Sequence, residues 1–138
     1  MSARVQEAAF DFQAEMTAFQ SAVTRSGAVV SFTGVVRDDT GNLDHMFIEH
    51  YPGMTEQQLK DMRDQAISSH DLEDALVVHR VGVVHPGEDI VLVAAFSAHR
   101  KAALDACREM MEILKSTAPF WKKETLAQGE RWVERNTP

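Results

Sequence analysis

Leu76-Val77-Val78-His79-Arg80-Val81-Gly82-Val83-Val84-His85-Pro86-Gly87-Glu88-Asp89-Ile90-Val91-Leu92-Val93-Ala94-Ala95-Phe96-Ser97 is the run on which the fold turns. Its two halves, Leu76 to Val84 and Asp89 to Ser97, are apolar and rich in β-branched residues, and His85-Pro86-Gly87-Glu88 between them has the composition of a tight turn. The halves are expected to pair as an antiparallel hairpin. Working outward, Ala28 to Val36 and Leu43 to Tyr51 read as strands on either side of the turn-forming Asp38-Asp39-Thr40-Gly41-Asn42. Val5 to Phe10 reads as a short first strand, and Phe120 to Leu126 and Arg131 to Glu134 as short last strands around Gly129.

Three helices are expected between these strands. Asp11 can cap one from Phe12 to Arg25 that carries Phe12, Met16, Phe19 and Val23 on one side, with Ser26-Gly27 as the stop. After the breaker Pro52-Gly53, Thr55 with Gln58 resembles a capping box opening a helix to Ser69, whose apolar stripe is Leu59, Met62 and Ala66. The third should run from His99 or Arg100 to Lys115 with Leu104, Cys107, Met111 and Leu114 toward the core, before Pro119 forbids continuation. Strands adjacent in sequence with interspersed helices point to an α+β fold with a largely antiparallel sheet, organised as a single domain without linker or repeat.

Composition narrows the function. The 138 residues are 44% hydrophobic and 25% charged, which suits a globular chain with a real core. The single cysteine, Cys107, cannot form an internal disulfide, and no signal-peptide pattern or membrane-spanning run is present, so a cytoplasmic protein is expected, with no membrane partner. A formal charge of −7 argues against a nucleic-acid binder. Within that acidic chain, Lys and Arg exceed Asp and Glu by six to three between His99 and Lys123, a local field that would draw a small anion. The histidines at 45, 50, 70, 79 and 85 lack the close ligand spacing of a metal site, so no metal and no cofactor is expected.

The third helix yields a geometric constraint. Sixteen residues from Arg100 to Lys115, at about 1.5 Å each, separate the helix ends by roughly 24 Å. One small-molecule pocket cannot hold both ends. The basic groups at His99-Arg100 and at Lys115 with Lys122 therefore either serve separate sites or meet when two chains pair; the second arrangement, a homodimer, is favoured.

Several ordered motifs carry a family resemblance. Phe32-Thr33-Gly34-Val35-Val36-Arg37, Glu49-His50-Tyr51-Pro52-Gly53-Met54, His79-Arg80-Val81-Gly82, Pro86-Gly87-Glu88, Ser97-Ala98-His99-Arg100 and Lys115 to Glu124 together resemble the large, catalytic subunit of molybdopterin synthase, over about Ala28 to Val133. The resemblance implies a sulfurtransferase of molybdenum cofactor biosynthesis. Cyclic pyranopterin monophosphate would receive two sulfur atoms from the C-terminal glycine thiocarboxylate of a small ubiquitin-like sulfur-carrier subunit. It also implies a homodimer of large subunits at the centre of a heterotetramer. By position, the family's substrate-binding residues fall on Arg37, His99, Arg100, Lys115, Lys122, Lys123 and Glu124; Lys115 is expected in the central acid-base or charge-stabilising role and Lys122 in a supporting role on the substrate, with Arg37, His99 and Arg100 holding phosphate and pterin. Val35 stands where some relatives have a lysine, which removes one cation, and a longer basic tail found in relatives does not follow Trp132-Val133.

The chemistry is compatible with these residue types. A thiocarboxylate donor requires no cysteine nucleophile here, and what the pocket must supply is a cationic grip and proton transfer. An unperturbed lysine is neutral in only about one molecule in 2,500 at pH 7, so a catalytic lysine needs a depressed pKa, for which Arg100, Lys122 or Lys123 beside Lys115 are the expected cause. Plainer readings accompany each candidate. Lys115 suits a helix C-terminus, His99 a helix start and Arg37 a turn, while Lys123, opposite Lys122 and Glu124 on an extended segment, suits solvent. Phe120 and Trp121 suit the core, and Cys107 a buried thiol. The alternative function is a non-catalytic dimeric module that binds an anionic metabolite.

Overall fold

The computed structural model describes residues 3–133. In chain order the elements are β1 (Ala3–Gln6), α1 (Phe12–Gln20), β2 (Ala28–Val35), β3 (Leu43–His50), α2 (Met54–His70), β4 (Asp74–Arg80), β5 (Gly82–Val84), β6 (Asp89–Ser97), α3 (Arg100–Ser116), β7 (Phe120–Leu126) and β8 (Gly129–Trp132). They form an α+β fold with two four-stranded sheets, ordered β1-β4-β6-β2 and β5-β3-β7-β8. Every pairing is antiparallel except β1 with β4.

The apolar run at residues 76–97 forms the centre of the first sheet, and both of its faces are covered. Val77, Val91, Val93 and Ala95 turn to the cluster shared with α2 and α3, while Leu76, Val78, Leu92, Ala94 and Phe96 turn to Met16, Phe19 and Val23 beside α1. Burial on both faces is why these strands read as continuous rather than alternating apolar sequence.

The expected single strand Leu76–Val84 is two strands in different sheets. β4 pairs with β6 through His79↔Val91, whereas β5 pairs with β3 through Phe47↔Val83. The break falls at Gly82, whose φ of 83° is open to glycine and costly for other residues. Arg80, buried at the break, donates through Nε and Nη2 to the Glu7 carbonyl at 3.2 and 2.9 Å, and its Nη1 faces Glu88 Oε1 at 3.5 Å. That hold on Glu7 coincides with the early end of β1, which was expected to reach Phe10.

Three further expectations are corrected. α1 stops at Gln20 rather than Arg25, because the Glu73 carboxylate captures the next segment, accepting from the Thr24 and Arg25 amides at 3.0 Å each and from Ser26 Oγ at 2.6 Å. At the start of α2 it is Glu56 that accepts from the Gly53 amide, at 2.9 Å, while buried Thr55 accepts from the Tyr51 amide and donates to the Pro119 carbonyl. On α3 the core face is Ala103, Ala106, Cys107, Met110 and Leu114, and Leu104 is 54% exposed. The alanines let the helix lie close to the sheet, which rotates the bulkier Leu104 toward its border. The last strand is Gly129–Trp132; the expected end at Glu134 lies outside the described residues.

A Cβ on Gly82 would meet nothing closer than Glu7 Cγ at 3.7 Å, so only the backbone opposes a side chain there. Gly82→Ala should therefore cost about 1–2 kcal/mol in urea unfolding, with native spectra below the transition. Unchanged stability would show that the crossover relaxes to another conformation.

Candidate active site

A cavity of about 510 Å³ opens where the end of β2 and the loop after it meet the last turn of α3 and the strands β7 and β8. Six charged side chains line it: Arg37, Asp39, Lys115, Lys122, Glu124 and Arg131. Local sequence explains how they converge. Lys115 is the basic residue of α3's last turn, and the Thr55 hydroxyl holds the Pro119 carbonyl at 3.2 Å as the chain enters β7. Strand alternation then puts Phe120, Lys122 and Glu124 on one face of β7. Phe120 stacks on buried His79 with ring centroids 3.8 Å apart, which anchors that face against the first sheet.

Lys115 and Lys122 line the cavity together and act on each other's protonation, and a neutral Lys122 can accept a hydrogen bond from the Lys115 ammonium. Burial pushes the Lys115 ammonium down, and the bond to Lys122 acts in the opposite sense. Lys122 is pushed down to about 8, chiefly by burial, then by the Lys115 charge and the bond from it. At pH 7 about one Lys122 in ten is then neutral. The stronger depression thus falls on Lys122 rather than on Lys115, and desolvation rather than neighbouring cations is its main cause. His79 below the pair is pushed down to about 3 by burial, with Lys122, Lys115 and His50 adding to the effect against its bond to the Arg80 carbonyl. That bond, 2.7 Å from Nδ1, fixes the neutral tautomer and leaves the lone pair on Nε2.

Of the residues singled out in the sequence, Arg37, Lys115, Lys122 and Glu124 share this cavity. Lys123 points to the other face of β7, 3.8 Å from Glu130 and over the Trp132 ring, so it is neither in the cavity nor freely solvated. His99 and Arg100 are exposed at the far end of α3, a helix of 17 residues and so about 25 Å long. Phe120 packs against the core, whereas Trp121 is 49% exposed. Cys107 is buried with its thiol pushed up to about 11 by desolvation, and it remains a thiol at neutral pH. It lines a second, apolar groove of about 510 Å³ between Val30, Phe32, Leu104 and Met111, which ends at Lys115.

Two cavity residues, and the buried His79 beneath them, escaped the sequence reading. Asp39, read as a turn former, bonds Arg37 Nε at 2.7 Å, and Arg131 Nε donates to Glu124 Oε1 at 2.9 Å. His79 was one histidine among several. The only available cue to Arg131 was the β7–β8 turn at Gly129, from which a register Glu124↔Arg131 can be counted.

A match to the family described as MoaE protein extends over residues 5–117. The chain belongs to the MoaE family. The molybdopterin synthase catalytic subunit of Ralstonia nicotianae is 53% identical over 133 residues, covering 95% of this chain and 76% of the relative. The molybdopterin biosynthesis MoaE protein of Burkholderia ambifaria superposes with a TM-score of 0.85 at 42% identity, covering 100% of this chain and 93% of that one. The fold also matches, with a TM-score of 0.83 at 20% identity and coverage of 97% and 91%, a chain from the complex of subunits 1 and 2 of molybdopterin-converting factor of Helicobacter pylori. Membership makes this MoaE-family chain a sulfurtransferase, the catalytic subunit of molybdopterin synthase in molybdenum cofactor biosynthesis, and removes the non-catalytic metabolite-binding alternative. Among the described residues no helix is long and apolar enough to cross a membrane.

Lys115→Met removes both the charge and the donor that act on Lys122. The Lys122 titration, followed by side-chain NMR, should move upward and leave about threefold or more less neutral amine at pH 7. An unmoved midpoint would assign the whole depression to burial.

Proposed function

We propose that this chain converts cyclic pyranopterin monophosphate to the dithiolene molybdopterin in the cytoplasm, taking two sulfur atoms from the C-terminal thiocarboxylate of a small ubiquitin-like partner. The observation that carries this reading is the Lys115–Lys122 pair, lowered in pKa by burial, in a cavity that also presents Arg37. A pair in which one amine stays charged while the other gives up its proton more readily can hold an anion and move a proton at the same place. Lys122, neutral in about one molecule in ten, acts as the base; Lys115, charged, stabilises the negative charge that builds as the acyl-sulfur bond is cleaved. Arg37 grips the phosphate. Glu124 keeps a substrate-side role through its place beside Lys122, and Lys123, on the opposite face, contributes at the partner's side of the strand.

The partner is supported by the two-subunit complex named for the Helicobacter pylori protein of the same fold. A homodimer is supported by the surface along β2, an edge strand that exposes Val29, Phe32 and Val35, with Leu104 of α3 exposed nearby. Pairing two copies along that border, inside a heterotetramer, brings His99 and Arg100 of the second copy toward the lysine pair and resolves the 17-residue separation within one chain.

Purified protein supplied with cyclic pyranopterin monophosphate and a thiocarboxylated small subunit should form dithiolene, and Lys115→Ala and Lys122→Ala should each lower its rate about 10²-fold or more. Normal turnover by either variant would remove that residue from the mechanism. Mixing Arg100→Ala chains with Lys115→Ala chains should restore part of the activity, because one of the two sites in a mixed dimer then retains both groups. Mixed dimers that stay inactive would return each site to a single chain.

A further inference from the structure

The cavity holds two carboxylates beside two lysines, and both carboxylates are bonded to arginines. Asp39 bonds Arg37, and Glu124 bonds Arg131. The second pairing is the unexpected one. Lys122 and Glu124 are two residues apart on one face of β7, about 7 Å along the strand, which is well within reach of a lysine side chain. An unrestrained Glu124 would form an ion pair with Lys122. Instead its side chain, 14% exposed, turns across the β7–β8 ladder to Arg131, its register partner on β8, and the Lys122 amine is left with Lys115 as its neighbour in the cavity. Arg131 is itself 54% exposed, so it contributes little to the core, and its guanidinium bonds Glu124.

We propose that Arg131 is a positioning residue: it holds the Glu124 carboxylate against β8, keeps it off the Lys122 amine, and so leaves that amine readier to give up its proton. A carboxylate released into the cavity would favour the ammonium form of Lys122, since an opposite charge within about 4–6 Å stabilises the charged state. The other groups around the amine do not substitute for this restraint. Lys115 acts on it from α3, while His79 on β4, which feels both lysines and His50 of β3, is neutral and offers Glu124 no counter-charge. Arg37 at the end of β2 is engaged by Asp39. The catalytic consequence rests on the role proposed above for Lys122; the restraint itself does not.

The test is the Lys122 titration in the full chain, read by side-chain NMR or by pH-dependent competitive amine labelling with mass spectrometry. Arg131→Gln should move the midpoint up and cut the neutral amine at pH 7 about tenfold. Arg131→Lys, which keeps the charge but loses the Nε donor, should give an intermediate loss and serves if Arg131→Gln does not fold. Adding Glu124→Gln to either variant should restore the wild-type titration, a rescue that a merely structural role for Arg131 would not give. An unmoved midpoint in a folded Arg131 variant, or a shift that survives Glu124→Gln, would overturn the proposal. Sulfur transfer measured across pH on the same variants separates the two readings. A titration that moves with Arg131 while the rate profile stays fixed keeps the restraint and discards Lys122 as the base.

Discussion

The left-handed backbone at Gly82, bolted by Arg80, is the constraint on which the site depends. It hands the chain from the first sheet to the second, and the cation-lined cavity lies at the seam between them. Arg80 ties three segments at that point: the Glu7 and Val83 carbonyls through hydrogen bonds, and the 85–88 turn through Glu88. That turn in turn exchanges backbone bonds with Val36, accepting from its amide at Glu88 and donating to its carbonyl from Gly87, each at 2.9 Å. Arg37 follows directly. The rim of the cavity is thus set by a chain of bonds that begins at a buried guanidinium, and leaving that guanidinium unpaired would cost about 1–3 kcal/mol and loosen the loop.

An acidic chain can hold two adjacent amines because burial, not net charge, decides their state. With a formal charge of −7 the protein as a whole favours protonation, yet the leading cause at both Lys115 and Lys122 is desolvation. Two fully charged ammonium groups in contact would repel, and the pair resolves this by leaving one amine more readily neutral and giving it a hydrogen bond to accept. His79 follows the same rule one layer deeper. Stacked on Phe120 and bonded to the Arg80 carbonyl, it presents a polar but uncharged edge toward the lysines instead of a third cation.

Much of this was legible in the sequence where local pattern and final environment agree. The β-branched runs at 28–36 and 43–51 became strands, Asp11 does cap α1, and strand alternation places Lys122 with Glu124 and Lys123 opposite. Legibility failed where the deciding fact was a partner distant in sequence. The run 76–84 is apolar on both sides of Gly82, so periodicity could not reveal that β4 and β5 belong to different sheets. The stripe of α3 was right at Cys107 and Leu114 but misplaced at Leu104, because Ala103 and Ala106 look unimportant as hydrophobes although both are fully buried against the core. α1 was read too long because its end is set by Glu73, about fifty residues away.

The cavity residues divide along the same line. Lys115 and Lys122 stood out because cations are concentrated near the end of an acidic chain, but their ranking required burial, which no spacing rule supplies. Arg131 gave no local cue, and its position follows only after the β7–β8 register is known. A basic cluster in a sequence therefore locates a site, while the pairing of its counter-charges decides which amine can work as a base. Here Asp39 and Glu124 are each committed to an arginine, and under the proposed role of Lys122 that commitment is what separates a proton-transfer site from an ordinary network of surface ion pairs.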